Sequence, residues 1–346
     1  MRSSEVMQSI KFLTGINEIP LVLGAPGCGK TETAIQAGNE AGYYVPAPLY
    51  LAIYDPVDSQ GVPYVAADPN NTREKITKWA KSALLSFPDD KPVMVILDEV
   101  DKLNNSQQSL VAQLILARRV GDIVIPPNVR FVLIGNRQKD RAGGQALHSH
   151  LLDRCVALHY EANLKDWSTY ALQHNVHPTV FAFNQFRPDY LSQGDDDKLL
   201  APGKHGQSPR YTPRGAMKVS AMEHAGLPEH LAHEVIAGKQ GESYATEYVA
   251  FRRVQADMPN LDNCILHPES APVPKKDKPA VLYALSVGLA YKATPDNFDR
   301  VITYIKRLQP VYNILCISAA IRKNEKLANT HAFNTWCATD GNELVL

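Results

Sequence analysis

The chain is short of the features that would set it apart from ordinary globular proteins. Its five cysteines (Cys28, Cys155, Cys264, Cys316 and Cys337) are odd in number, widely spread and without a C-x-x-C pair. That pattern argues against a disulfide framework and against a zinc site. Eleven histidines include no H-E-x-x-H or comparable ligand spacing, so the pair in "HSH" (His148 and His150) is not read as metal-binding. No charge of either sign is in excess: 36 Lys and Arg balance 36 Asp and Glu, and no global field draws the protein to nucleic acid or an anionic membrane. No apolar run approaches the roughly 20 residues of a membrane span, and the first stretch, "MRSSEVMQSIKF", lacks a signal-peptide core. The expectation is a cytoplasmic protein with reduced thiols and no membrane partner.

What is present is a normal share of core-forming residues, 45% hydrophobic and 21% charged over 346 positions, enough for one large domain or two ordinary ones. From Leu21 to about Val156, short β-like runs alternate with helical stretches, as in α/β proteins with a parallel sheet. "PLVLG", "PLYLAIY", "PVMVILDEV" and "VRFVLIGN" read as strands. "KTETAIQAGNEAG" reads as a helix that Gly42 can end, and "SQQSLVAQLILARR" as a helix opened by Ser106. In "NTREKITKWAKSALLSF", Ile76, Trp79, Ala83, Leu84 and Phe87 repeat at helical spacing, which predicts a helix capped by Asn71 or Thr72. Beyond Asn163, helical patterns such as "LKDWSTYALQHN" and "NFDRVITYIKRL" dominate, broken by loop-like stretches at Ser192 to Pro213 and at "HPESAPVPKKDKP". The expected partition is an α/β nucleotide-binding core over 1–160 and an α-helical lid and C-terminal extension over 161–346.

The chemistry is concentrated in "LVLGAPGCGKTET". Gly24, Gly29, Lys30 and Thr31 complete the pattern G-x-x-x-x-G-K-T between a predicted strand and a predicted helix, the context in which it cradles phosphate. Glycines allow the backbone to approach phosphate oxygens, the loop N–H groups form an anion nest, and the helix N-terminus adds its dipole. Lys30 is expected to reach the terminal phosphates and Thr31 to offer a hydroxyl to Mg²⁺. The candidate nucleotide-binding set is Gly24, Ala25, Pro26, Gly27, Cys28, Gly29, Lys30, Thr31 and Glu32, joined by Asp98, with ATP and Mg²⁺ as cofactors. Asp98, at the end of a buried run, is the acid that would hold the metal with Thr31, and Glu99 is the general base that would take a proton from the attacking water. Asn136, after the next buried run, has an amide suited to holding both water and γ-phosphate. Cys28 lies within the loop next to a helix start, where a thiol pKa can be lowered, so oxidation would block nucleotide entry; the plainer reading is a small residue that fits.

Two arginines stand further on, Arg154 in "HLLDRCV" at the end of a helical stretch and Arg214 in "YTPRGAMKVS" at the start of one. With them in place the chain resembles the AAA+ ATPases, and among them the MoxR type. The order is the glycine loop, then "VILDE", "LIGN", "LLDRC" and "YTPR" over roughly residues 20 to 220. The resemblance implies a Walker A loop, a Walker B strand, Asn136 as sensor 1, Arg154 as an arginine finger acting on a neighbouring subunit, and Arg214 as sensor 2. Arg137 and Arg141 compete for the finger role, and Arg210 competes with Arg214. "DPVDSQGVPYV" (Asp55 to Val65) looks like the insert that MoxR proteins carry, and "LARRVGDIVIPPNVRF" like the hairpin before sensor 1. The implied activity is Mg²⁺-dependent conversion of ATP and water to ADP and phosphate by a homo-oligomer, a hexameric ring or spiral, that remodels a protein client as a chaperone or assembly factor. A partner with a von Willebrand factor A domain is implied as well. The alternative is a DNA-remodelling AAA+ ATPase of the helicase-loader or replication-factor type, for which "VPKKDKP" and "YIKRLQPVY" offer basic and aromatic residues. A monomeric P-loop kinase is a third class, disfavoured by the sensor-like series and the long helical second half.

Overall fold

Four buried apolar runs form one parallel sheet in the computed structural model: β1 (Pro20–Gly24), β4 (Val93–Leu97), β7 (Val129–Asn136) and β8 (Val156–Tyr160), in the order β4-β7-β1-β8. The described residues are all but 56–57, 60, 69–73, 81, 122, 138–144, 192–210, 256–257 and 342–346, and the side chains of 254–255 and 340–341. The chain divides into two units, Met1–Ala162 and Asn163–Leu346.

In the first unit both sheet faces are covered, which is why its strands read as continuous apolar runs. Val22, Met94, Ile96, Val132, Ile134 and Leu158 pack on one side against Val6 and Ile10 of α1 (Ser3–Gly15) and Ala34 and Ala37 of α2 (Lys30–Glu40). Leu21, Val93, Val95, Leu97, Phe131 and Leu133 face the other way, toward Leu110, Val111 and Leu114 of α3 (Asn105–Ala117). The cap of α3 is Asn104, not Ser106: its side chain accepts from Gln107 N, while Gln107 Oε1 accepts from Asn104 N, a reciprocal box. A short helix α4 (Ser149–Leu152) leads to Arg154.

Parallel pairing places Leu21 opposite Leu133 on one flank and Ala157 on the other, so the end of β1 lies between the ends of β7 and β8. Two small antiparallel ribbons lie outside this sheet. β5 (Arg119–Val120) and β6 (Ile123–Val124) make the hairpin expected before β7, pinned where Arg118 Nη2 donates to the carbonyls of Pro126 and Val129. β2 (Val62–Ala67) and β3 (Lys75–Ala80) form the other, with Tyr64 opposite Lys78 and Pro63 opposite Trp79.

The second ribbon corrects the helix expected over residues 71–87. Ile76, Thr77 and Trp79 are strand formers, and pairing with β2 satisfies their backbone, so only Ala83–Leu85 turns, as a 3₁₀ segment. The proposed caps Asn71 and Thr72 lie outside the described residues. "PLYLAIY" is likewise no full strand. Leu49 makes a single parallel bridge to Leu97, and Leu51–Ile53 is a 3₁₀ turn.

Among its described residues the second unit has helices joined by turns and no strand. It runs through α5 (Leu164–Gln173), α6 (Pro178–Phe186), α7 (Pro213–His224), α8 (Glu229–Gln240), α9 (Glu242–Gln255), α10 (Leu261–Leu266), α11 (Pro279–Lys292), α12 (Phe298–Ile305), α13 (Pro310–Lys323) and α14 (His331–Trp336). One of its two cores is built on aromatic rings, Phe183 meeting Tyr244, Tyr248 and Phe251 edge-on. The other gathers Phe298, Tyr304, Cys316 and Trp336. Among the described residues no helix is long and apolar enough to cross a membrane.

Candidate nucleotide-binding site

The glycine loop joins β1 to α2 with backbone that other residues adopt only under strain. Gly29 has φ +106° and Gly27 φ +73°, both left-handed. Gly24 is required for a different reason, because a Cβ there would stand 2.8 Å from Tyr160 O. The turn delivers Lys30 and Thr31 at the first two positions of α2, where helix N–H groups are unpaired and the dipole favours an anion.

Lys30 is nearly buried, and its ammonium donates to Gly24 O and Ala25 O, both at 2.9 Å, and to Asn136 Oδ1 at 3.0 Å. Thr31 Oγ1 donates to Asp98 Oδ2 at 2.7 Å, while Asp98 Oδ1 accepts from Glu99 N at 2.8 Å. Loop, β4 end and β7 end therefore meet at one point. Parallel neighbours put their carboxyl ends together, and that is where open α/β sheets bind ligands. Glu99 itself has a left-handed backbone, φ +57°, and its carboxylate pairs with Lys102 at 2.9 Å. Both partners are about 40% exposed, so the pair is weakly held.

The donor set fits a nucleotide with its magnesium: a backbone nest and an ammonium for phosphate, and a hydroxyl beside a carboxylate, hard oxygen ligands of the kind Mg²⁺ takes. Glu32 is exposed in the first turn of α2, and Ala25 and Pro26 line the loop.

Cys28 departs from expectation. It is buried against the α1 and α2 core, and burial pushes its thiol above the ordinary value despite the nearby Lys30 charge. A protonated, enclosed thiol is a poor redox sensor, and the plainer reading of Cys28 as a small residue that fits is the one the structure supports.

Arg154 is not among the converging residues. It follows α4, its guanidinium donates back to His150 O, and its Nε is buried without a hydrogen-bond partner among the described residues. Arg137 follows Asn136 directly, pairs with Glu161 at 3.8 Å, and its charge reaches Cys28 in the loop of its own chain. Arg214 is the second residue of α7, in the other unit, and exposed. Arg141 and Arg210 lie outside the described residues.

Two residues of the site escape a sequence reading. Asp101, in the 3₁₀ turn Val100–Lys102, is 3% exposed and accepts from Asn136 N at 2.8 Å and from Asn136 Nδ2 at 3.2 Å. Its only signal is a third acid in "LDEVD". Tyr160, the last residue of β8, abuts Gly24 and lies within reach of Thr33 Oγ1 at 3.4 Å. It reads only as one more strand residue.

No curated protein matches the sequence. Among solved structures, NtrX from Brucella abortus in complex with ADP aligns over 99% of this chain and 68% of its own, at 11% identity and a TM-score of 0.40. The Thermotoga maritima RuvB Holliday junction branch migration motor aligns over 88% and 87%, at 15% identity and a TM-score of 0.36. Both likenesses are loose. The family model that matches is the ATPase family associated with various cellular activities (AAA), over residues 20–158. That span, which the AAA model matches, holds the glycine loop, the acids at the end of β4 and the amide at the end of β7.

Proposed function

We propose that this protein is a MoxR-like AAA+ ATPase that hydrolyses ATP as an oligomer and uses the cycle to remodel a protein client. The observation that carries the hydrolytic part is the convergence at the strand ends: Thr31 on Asp98 at 2.7 Å, and Lys30 on Asn136 at 3.0 Å. In this reading the loop N–H groups and Lys30 bind the phosphates, and Thr31 with Asp98 hold Mg²⁺, which when bound neutralises developing phosphate charge. Glu99 leaves Lys102 and takes a proton from water as the water oxygen bonds to the γ-phosphorus. The bond from that phosphorus to the β,γ-bridging oxygen breaks, releasing ADP and phosphate. Asn136 orients the water.

Arg154 is the residue we assign to a neighbouring subunit's site. The motif order of the resemblance supports this role. Arg214 would link the helical unit to nucleotide state. The ribbon β2–β3 and the hairpin β5–β6, which expose Tyr64, Val65 and Val124, are where a client would be gripped. A partner with a von Willebrand factor A domain belongs to the same proposal.

The test is ATP turnover per subunit as protein concentration rises, at saturating ATP and fixed Mg²⁺, with Arg154→Ala mixed into wild type. Turnover that climbs to a plateau and is poisoned by the variant is expected. A constant rate from a sample that sizes as a monomer would overturn the oligomeric reading. Turnover stimulated by DNA and lost steeply with salt would replace the protein client with a nucleic acid.

A further inference from the structure

Asp101 holds Asn136 from the side opposite Lys30. Its carboxylate is enclosed, with Oδ1 accepting the backbone N–H of Asn136 at 2.8 Å and Oδ2 the side-chain N–H at 3.2 Å. Across the same amide, Lys30 Nζ donates to Oδ1 at 3.0 Å. A carboxylate accepts only and an ammonium donates only. Turning the amide over would set its NH₂ against the ammonium and its oxygen against the carboxylate, so one orientation is held from both ends.

We infer that Asp101 is a positioning residue for ATP hydrolysis, acting through Asn136. It consumes one Nδ2 hydrogen and leaves the other, with a lone pair on Oδ1, to meet water and phosphate in a fixed direction. A buried carboxylate is costly unless it is hydrogen-bonded, and Asn136 supplies donors from both its backbone and its side chain. Asparagine at 101 would have the same shape, but its amide presents hydrogens as readily as an oxygen, and the orientation of Asn136 would no longer be imposed. This inference rests on the hydrolytic reading of the site.

The experiment compares wild type, Asp101→Asn, Asn136→Ala and the double variant by steady-state ATP turnover. Binding of a fluorescent, non-hydrolysable ATP analogue and a thermal melt are measured on each. Misdirecting a group at the reacting centre by about an ångström costs on the order of 100-fold, so Asp101→Asn should lower kcat by about 10- to 100-fold. Its KM and analogue affinity should stay within about twofold of wild type, since binding energy shared by ground and transition states is untouched. The double variant should turn over no more slowly than Asn136→Ala. Asp101→Ser, which also removes the acceptor-only group and is smaller, gives the same reading if the asparagine variant does not fold. Wild-type rates in the Asp101 variants, losses that multiply with Asn136→Ala, or a loss wholly accounted for by weaker analogue binding would each overturn the inference. Absence of turnover in wild type would instead overturn the proposed function, and this inference with it.

Discussion

In the proposed reaction Lys30 holds the nucleotide and Glu99 serves the cutting, and single substitutions should separate the two. Lys30 lies inside the loop with its charge aimed along the nest, so Lys30→Ala should abolish nucleotide binding. Among the described residues, the Glu99 carboxylate pairs with Lys102 and its backbone N–H donates to Asp98, so Glu99→Gln should bind nucleotide normally. Its turnover should fall by about 100- to 10,000-fold, the usual range for a lost general base. Equilibrium binding of a fluorescent ATP analogue beside steady-state turnover checks both. Lys30, Thr31, Asp98 and Asn136 were legible in the sequence because the motif dictates its own surroundings, a strand before and a helix after. Asp101 and Tyr160 were not, since each acts across a strand-to-strand junction that only the folded sheet creates.

Among elements, the start of α7 is tightly built. Gln240, wholly buried at the end of α8, accepts from Thr212 N and donates to Thr212 O, and a Cβ on Gly215 would stand 1.8 Å from its Oε1. Gly215→Ala should therefore destabilise by about 1–3 kcal/mol through overpacking, although alanine favours a helix, and a chemical melt would show it. A neutral effect would mean that Gln240 can move aside without losing its bonds. The buried strands of the first unit were readable because covered parallel strands are apolar at every position. Residues 71–87 were misread for the opposite reason: Ile76 and Trp79 satisfy helical and extended spacing alike, and the choice was made by pairing with β2. Asn104 took the cap from Ser106 because Gln107 returns its hydrogen bond.

At the scale of the molecule, two units with separate cores should unfold as two transitions, and different agents should move each. Magnesium with a non-hydrolysable ATP analogue should raise the transition of the first unit, which carries the glycine loop. Acid should lower that of the second. His177 caps α6 with Nδ1 accepting from Thr179 N, a role only the neutral ring can fill. Burial first, then the charges of His224 and Arg252, push its pKa down to about 4 from 6.5. The folded ring stays neutral where the unfolded one takes a proton, so stability is whole above about pH 6.5 and is lost as pH falls toward 4. The loss should reach roughly 1–3 kcal/mol once partial exposure is allowed for, and calorimetry from pH 7 to 4.5 should find it gone in His177→Gln.

The strand order has a consequence for how the molecule is made. β1 finds its two partners, β7 and β8, only after about 110 and 135 further residues of chain. On a ribosome the glycine loop emerges well before the strands that flank it, so the strand that anchors it remains unpaired until β7 and β8 of the first unit have been synthesised. Nucleotide binding thus reports completion of that unit: a nascent chain ending before Val156 should not retain ATP, and one extending past Tyr160 should.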